Sequence, residues 1–104
     1  MKVFIKELQG FDIYFEAVEE HLSLKELLPE HNDEQIEEIY ENSEIFCAKV
    51  TAEKLGIELG CDYLGGCVYE SQEDFYIKYK DCYFADMAQN AVSEAKELIK
   101  ELSK

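Results

Sequence analysis

Eight carboxylates, Glu26, Glu30, Asp33, Glu34, Glu37, Glu38, Glu41 and Glu44, stand between Lys25 and Lys49 with no Lys or Arg among them. Acidic runs on helices are usually relieved by Lys placed four residues on, and this stretch has no such relief. Unneutralised anions at this density have three chemistries open to them: holding a cation, acid–base catalysis, or docking on a basic surface. Calcium would need a loop of oxygen ligands with a central Gly and a terminal Glu, and no such loop occurs. Paired carboxylates are so abundant that singling out two as an acid and a base would be arbitrary. Docking on a basic surface is left as the chemistry that the pattern favours.

The remaining reactive side chains point less clearly. Cys61 and Cys67, the closest cysteine pair, have five residues between them, wider than the usual two to four of a zinc site. Cys47, Cys61, Cys67 and Cys82 are expected to be reduced thiols, buried or half-buried. Neither His21 nor His31 has an acid three residues upstream, so the Glu-x-x-His ligand pair is missing. Gly65-Gly66 lacks the Lys and helix-opening Ser or Thr of a phosphate-binding loop and reads as a turn. No spacing brings together a nucleophile, a base and a charge stabiliser, so the expectation is a protein that is not an enzyme, with no cofactor and no metal.

Composition narrows the partners. The 104 residues carry a net charge of −14, and all ten basic residues are Lys. A chain without a guanidinium lacks the usual reader of phosphates and base edges, so direct nucleic-acid binding is not expected. An anionic membrane surface is disfavoured for the same reason, and no apolar run approaches the roughly 20 residues of a bilayer span. No signal peptide is apparent in the chain as given, and cytoplasmic residence, in a host cell if a virus or plasmid encodes it, is the expectation. Seven Tyr, six Phe and an apolar fraction of 47% are too much hydrophobic material for a disordered acidic tail, and the length suits one domain.

The elements that must position the acids can be drafted from periodicity. Val3 and Ile5, then Phe11, Ile13 and Phe15, alternate around Gln9-Gly10, predicting a β-hairpin. The slip at Glu7 and Leu8 suggests a bulge or a longer loop. Ser23 and Glu26 form a capping pattern for a short helix that Pro29 ends. Asn32 resembles an N-cap with Gln35 as its capping-box partner, predicting a helix from about Asp33. Ile36, Ile39, Tyr40, Ser43, Phe46, Cys47 and Val50 keep helical spacing, so this helix is expected to run on toward Gly56 or Gly60, with a possible break near Asn42-Ser43. The rival is a strand over Ile45 to Ala52, with Phe46, Ala48, Val50 and Ala52 on one face. Cys61 to Tyr69 reads as a turn leading into a short extended segment. Ser71 and Asp74 suggest a short helix through Phe75, Tyr76 and Tyr79. A final helix should open between Asp81 and Tyr83, its apolar stripe running from Phe84 to Leu102. The expected fold class is α+β: an N-terminal hairpin or small antiparallel sheet packed by three to four helices, the C-terminal one longest.

On a helix over 33 to 44, acids recurring every three or four residues would lie roughly 5 to 6 Å apart along a ridge. Phosphates along one nucleic-acid strand are spaced at roughly 6 to 7 Å, so the ridge would present a phosphate-like row. In size, in the cluster Asp33, Glu34, Glu37, Glu38, Glu41 and Glu44, in the further acids Glu70, Glu73 and Asp74, and in its lack of Arg, the chain resembles the small acidic inhibitors of mobile elements, the anti-CRISPR and antirestriction proteins, many of which mimic nucleic acid. That resemblance implies a partner that is a basic nucleic-acid-binding protein, a nuclease or a CRISPR or restriction component. An immunity protein or antitoxin for a basic nuclease toxin follows the same charge logic, and a non-catalytic acidic interaction module is the plainer alternative. A homodimer is a further expectation, through exposed aromatics among Tyr63, Tyr69, Tyr76 and Tyr79.

Overall fold

The computed structural model describes residues 2–19, 24–27, 29–77 and 83–103. Four strands, β1 (Lys2–Leu8), β2 (Phe11–Val18), β3 (Glu44–Lys54) and β4 (Ile57–Tyr69), form one antiparallel sheet in sequential order. Between β2 and β3 lie α1 (Leu24–Leu27), a single turn, and α2 (Asp33–Asn42); α3 (Glu73–Ile77) and α4 (Tyr83–Leu102) follow β4. The class is α+β, as expected. The hairpin is half of a four-stranded meander rather than a separate unit, and α3 and α4 are the helices that cover it.

The predicted hairpin forms around Gln9 and Gly10, both at positive φ. Its register shifts between Phe4 and Lys6, which leaves Ile5 as an extra residue. This bulge is the physical source of the slip in the alternation: Val3, Ile5 and Leu8 are all partly buried despite their uneven spacing.

The expectation that the second helix continues past Asn42 is overturned. α2 ends there, Ser43 is extended, and an 11-residue strand starts at Glu44. Phe46, Ala48, Val50 and Ala52 line its buried face, as the rival strand required. Helical spacing loses because β3 is a central strand, paired with β2 from Val18 to Asp12 and with β4 along its whole length. Cys61 to Tyr69 is likewise not a turn but part of the 13-residue β4. Gly65 and Gly66 oppose the single Cys47 in a bulge, and Gly66 takes the positive φ of 71° that this bulge needs.

One face of the sheet carries the core. Phe11, Ile13, Phe15, Phe46, Ala48, Val50 and Ala52 pack there with Phe75 of α3 and with Phe84, Met87, Ala88, Ala91, Val92 and Ala95 of α4. The predicted α4 stripe holds through Ile99, while Leu98 and Leu102 are exposed. On the other face, where Lys2, Tyr14, Lys49, Thr51 and Tyr63 project, ion pairs join Lys2 to Glu53 and Lys49 to Glu58. Hydrogen bonding to Glu53, which outweighs the opposing cost of burial, holds the Lys2 ammonium above its ordinary range.

Candidate functional site

α2 begins where local chemistry dictates. The Asn32 side chain accepts from the Gln35 N–H at 2.9 Å, and the Gln35 carboxamide oxygen accepts from the Asn32 N–H at 2.9 Å, the complete capping box. Asp33 and Glu34 then occupy the first turn, where the helix dipole favours negative charge. No basic residue occupies the last turn. Because the box is the main local device that sets this helix, Asn32→Ala should lower stability by about 1 kcal/mol. Chemical denaturation read by circular dichroism would check this, and an unchanged midpoint would show that α2 is held from elsewhere.

At about 100° per residue, Glu34, Glu37, Glu38 and Glu41 fall within an arc of about 100°, and Ile36, Ile39 and Tyr40 fall opposite them. Burial follows that division at the two isoleucines, while Tyr40 is 54% exposed. Ile36 is buried and Ile39 half-buried, whereas the four acids are exposed. Among the described residues these four join no ion pair; Lys2–Glu53 and Lys49–Glu58 are pairs on the sheet. α2 also joins the sheet at the end away from both hairpin turns, Gln9-Gly10 and Leu55-Gly56, in a molecule 55 Å long. The acids of α2 therefore precede the end of the sheet where β3 starts.

The structure separates Glu44 from this group. Expected on the helical ridge, it lies on β3 opposite Tyr69, and its carboxylate accepts from the Gln72 N–H at 2.9 Å. The ridge is correspondingly shorter: Glu34 to Glu41 spans about 10 Å at 1.5 Å per residue, instead of the longer row that a helix through residue 44 would give. Asp33 stays exposed on α2, to one side of the arc.

Glu44 borders a pocket that the sequence did not disclose. A cavity of about 440 Å³ is lined by Val3 of β1, Phe15 of β2, Glu44 of β3, and Ser71, Gln72, Glu73 and Tyr76 at α3. Phe15 and Tyr76 pack with ring centroids 5.0 Å apart and ring planes tilted by 50°. Burial, and after it the charge of Glu73, push the Tyr76 hydroxyl above its ordinary range. The linings come from four separate elements, so no local spacing could have announced them.

The other candidates form no site of this kind. Cys47 and Cys61 are half-buried and Cys67 is buried, all three as thiols, and Cys82 lies outside the described residues, as do His21, Ser23 and Tyr79. Burial foremost, then the charges of Glu94 and Glu58, push the Cys61 thiol up, away from the thiolate that nucleophilic chemistry needs. Among the described residues no group of three or more His, Cys, Asp or Glu is disposed to hold a metal ion, and no helix is long and apolar enough to cross a membrane. Of the tyrosines expected at a dimer contact, Tyr63 is 56% exposed, while Tyr69 and Tyr76 pack against the core. No family model matches this chain, and no curated protein or solved structure is significantly similar to it.

Proposed function

We propose that this protein is a non-catalytic acidic inhibitor that occupies the basic nucleic-acid-binding surface of a nuclease or of a CRISPR or restriction component, with α2 as its phosphate-like element. The observation that carries this reading is the exposed arc of Glu34, Glu37, Glu38 and Glu41, which no cation among the described residues neutralises. Leaving four like charges on adjacent turns weakens the helix by a few tenths of a kcal/mol per pair. The cost is offset if the arc meets a Lys- or Arg-lined groove, where complementary charge speeds encounter and fixes orientation.

The shortened ridge sets the scale of that contact. About 10 Å covers one to two phosphate intervals, so α2 alone supplies a small footprint. Asp33 on α2 and Glu44, Glu70, Glu73 and Asp74 around the α3 junction are exposed acids that extend it. A basic nuclease toxin presents the same chemistry as a defence nuclease, so the identity of the captured partner separates an antirestriction or anti-CRISPR role from an immunity role.

Affinity capture at low and high salt tests the reading, followed by the triple variant Glu37→Lys, Glu38→Lys, Glu41→Lys. Lys is as good a helix former as Glu, and the ammonium introduced at position 38 would sit four residues after Glu34, so α2 should stay folded. Each exposed pair contributes about 0 to 1 kcal/mol, so reversing three charges should weaken binding by roughly tenfold or more, mainly by slowing association. A partner retained equally at high salt and by the triple variant would reduce the arc to a solubility feature.

A further inference from the structure

We infer that the pocket between the sheet and α3 is a binding site for a cationic head on an apolar stem, the chemistry of a lysine side chain or a free alkylamine. The inference deepens the reading of the acid arc as the face for a basic partner, and it draws on a different part of the molecule. Its volume of about 440 Å³ lies within the range of small-ligand sites. Its walls divide by chemistry. Val3, Phe15 and Tyr76 supply an apolar and aromatic lining that suits methylenes, and a tyrosine ring is a side chain that attracts a cation.

The two charged groups that line it, Glu44 and Glu73, are both carboxylates. Glu44 is not a loose surface acid: the Gln72 N–H holds its Oε2 at 2.9 Å and leaves its other oxygen for a second donor. Glu73 sits one residue further on, close enough to Tyr76 to raise its hydroxyl pKa after burial has done so. An anion would meet two carboxylates there, and a neutral apolar group would leave them without a counter-charge. A primary ammonium satisfies both while its stem covers the aromatic wall. Glu44, which lines the pocket, follows the end of α2 by two residues, so the pocket and the acid arc are neighbours along the chain.

The test is an NMR titration of the whole protein with Nα-acetyl-lysine amide, compared with the neutral Nα-acetyl-norleucine amide. The lysine derivative should move the amides of Val3, Gln72, Glu73 and Tyr76, and the norleucine derivative should not. In Glu44→Gln with Glu73→Gln, binding should weaken by roughly fivefold to thirtyfold. The carboxamide oxygen introduced at position 44 can still accept from the Gln72 N–H, which keeps the fold, and unchanged far-UV circular dichroism checks this. The α2 triple variant should bind the lysine derivative as the wild type does. If the derivative binds while no basic protein is captured, the function proposed for α2 fails and the pocket stands, with a free amine as its ligand. If capture of a basic protein also falls in the Glu44→Gln, Glu73→Gln variant, the ligand is a protein side chain. Equal response to the lysine and norleucine derivatives, or undiminished binding in the double variant, would overturn the inference.

Discussion

Phe75→Ala should lower the unfolding free energy by about 3–5 kcal/mol, a large share of the roughly 5–15 kcal/mol available to a small domain. Phe75 is 1% exposed and sits at the centre of an aromatic cluster. Its ring lies 5.4 Å from that of Tyr69, 5.6 Å from Phe15, 6.0 Å from Phe46 and 6.4 Å from Phe84. Those partners belong to β4, β2, β3 and α4, so a single side chain ties α3 to three strands and the long helix. With five residues, α3 is too short to be stable through its own hydrogen bonds. Truncation would therefore leave a cavity and also release the segment that carries Glu73 and Tyr76. Two readouts should move together: the urea midpoint falls, and the affinity for the lysine derivative falls with it even under conditions where the sheet remains folded. Phe75→Leu should cost markedly less, because it keeps most of the volume. A wild-type midpoint in Phe75→Ala would mean that α3 is not anchored through this ring.

The contrast between the two ends of α2 explains how much of the site could be read beforehand. Its start is written in four consecutive residues, because a capping box is a contact between Asn32 and Gln35 that needs no other part of the chain. Its end is not local. Ile36, Ile39, Ser43, Phe46, Cys47 and Val50 satisfy a helical period, and Phe46, Ala48, Val50 and Ala52 satisfy a strand period through the same segment. What decides is the backbone pairing offered by β2 on one side and β4 on the other, both distant along the chain, and sequence periodicity does not report such pairing. The misplacement of Glu44 follows directly, since a residue assigned to the exposed face of a helix is in fact at the start of a central strand. The bulge at Ile5 shows the opposite case. The irregular spacing of Val3, Ile5 and Leu8 was visible as a broken alternation, and the structure supplies its cause. The pocket lay beyond reach for a simpler reason: Val3, Phe15, Glu44 and Tyr76 meet only once the sheet and α3 are assembled.

Gly60 belongs to the same class of hidden requirement, and its replacement has the second large effect expected. In the sequence it reads as a possible helix end; in the structure it lies within β4, a position where a glycine ordinarily weakens the strand. In the fold it is where α4 comes down on the sheet. A Cβ on Gly60 would lie 2.1 Å from the Ala91 carbonyl oxygen and 2.8 Å from the Ala95 nitrogen, so the obstruction is helix backbone, which cannot turn aside as a side chain can. Ala88, Ala91 and Ala95 on α4 and Ala48 and Ala52 on β3 are all buried, and this small-residue seam is what allows the approach. Asn90 reinforces it by donating to the Asp62 carboxylate at 3.0 Å. Gly60→Ala must push α4 outward and should cost about 1–3 kcal/mol, with Gly60→Val costing more. Urea denaturation of both variants measures this, and hydrogen exchange should locate the loss in α4 and β4. Reducing Ala91 to Gly would not rescue either variant, because the clash is with its carbonyl oxygen and not with its methyl group. That failure of rescue separates backbone contact from side-chain crowding: recovery of stability in Gly60→Ala with Ala91→Gly would show that α4 sits further from the sheet than the close approach at Gly60 requires.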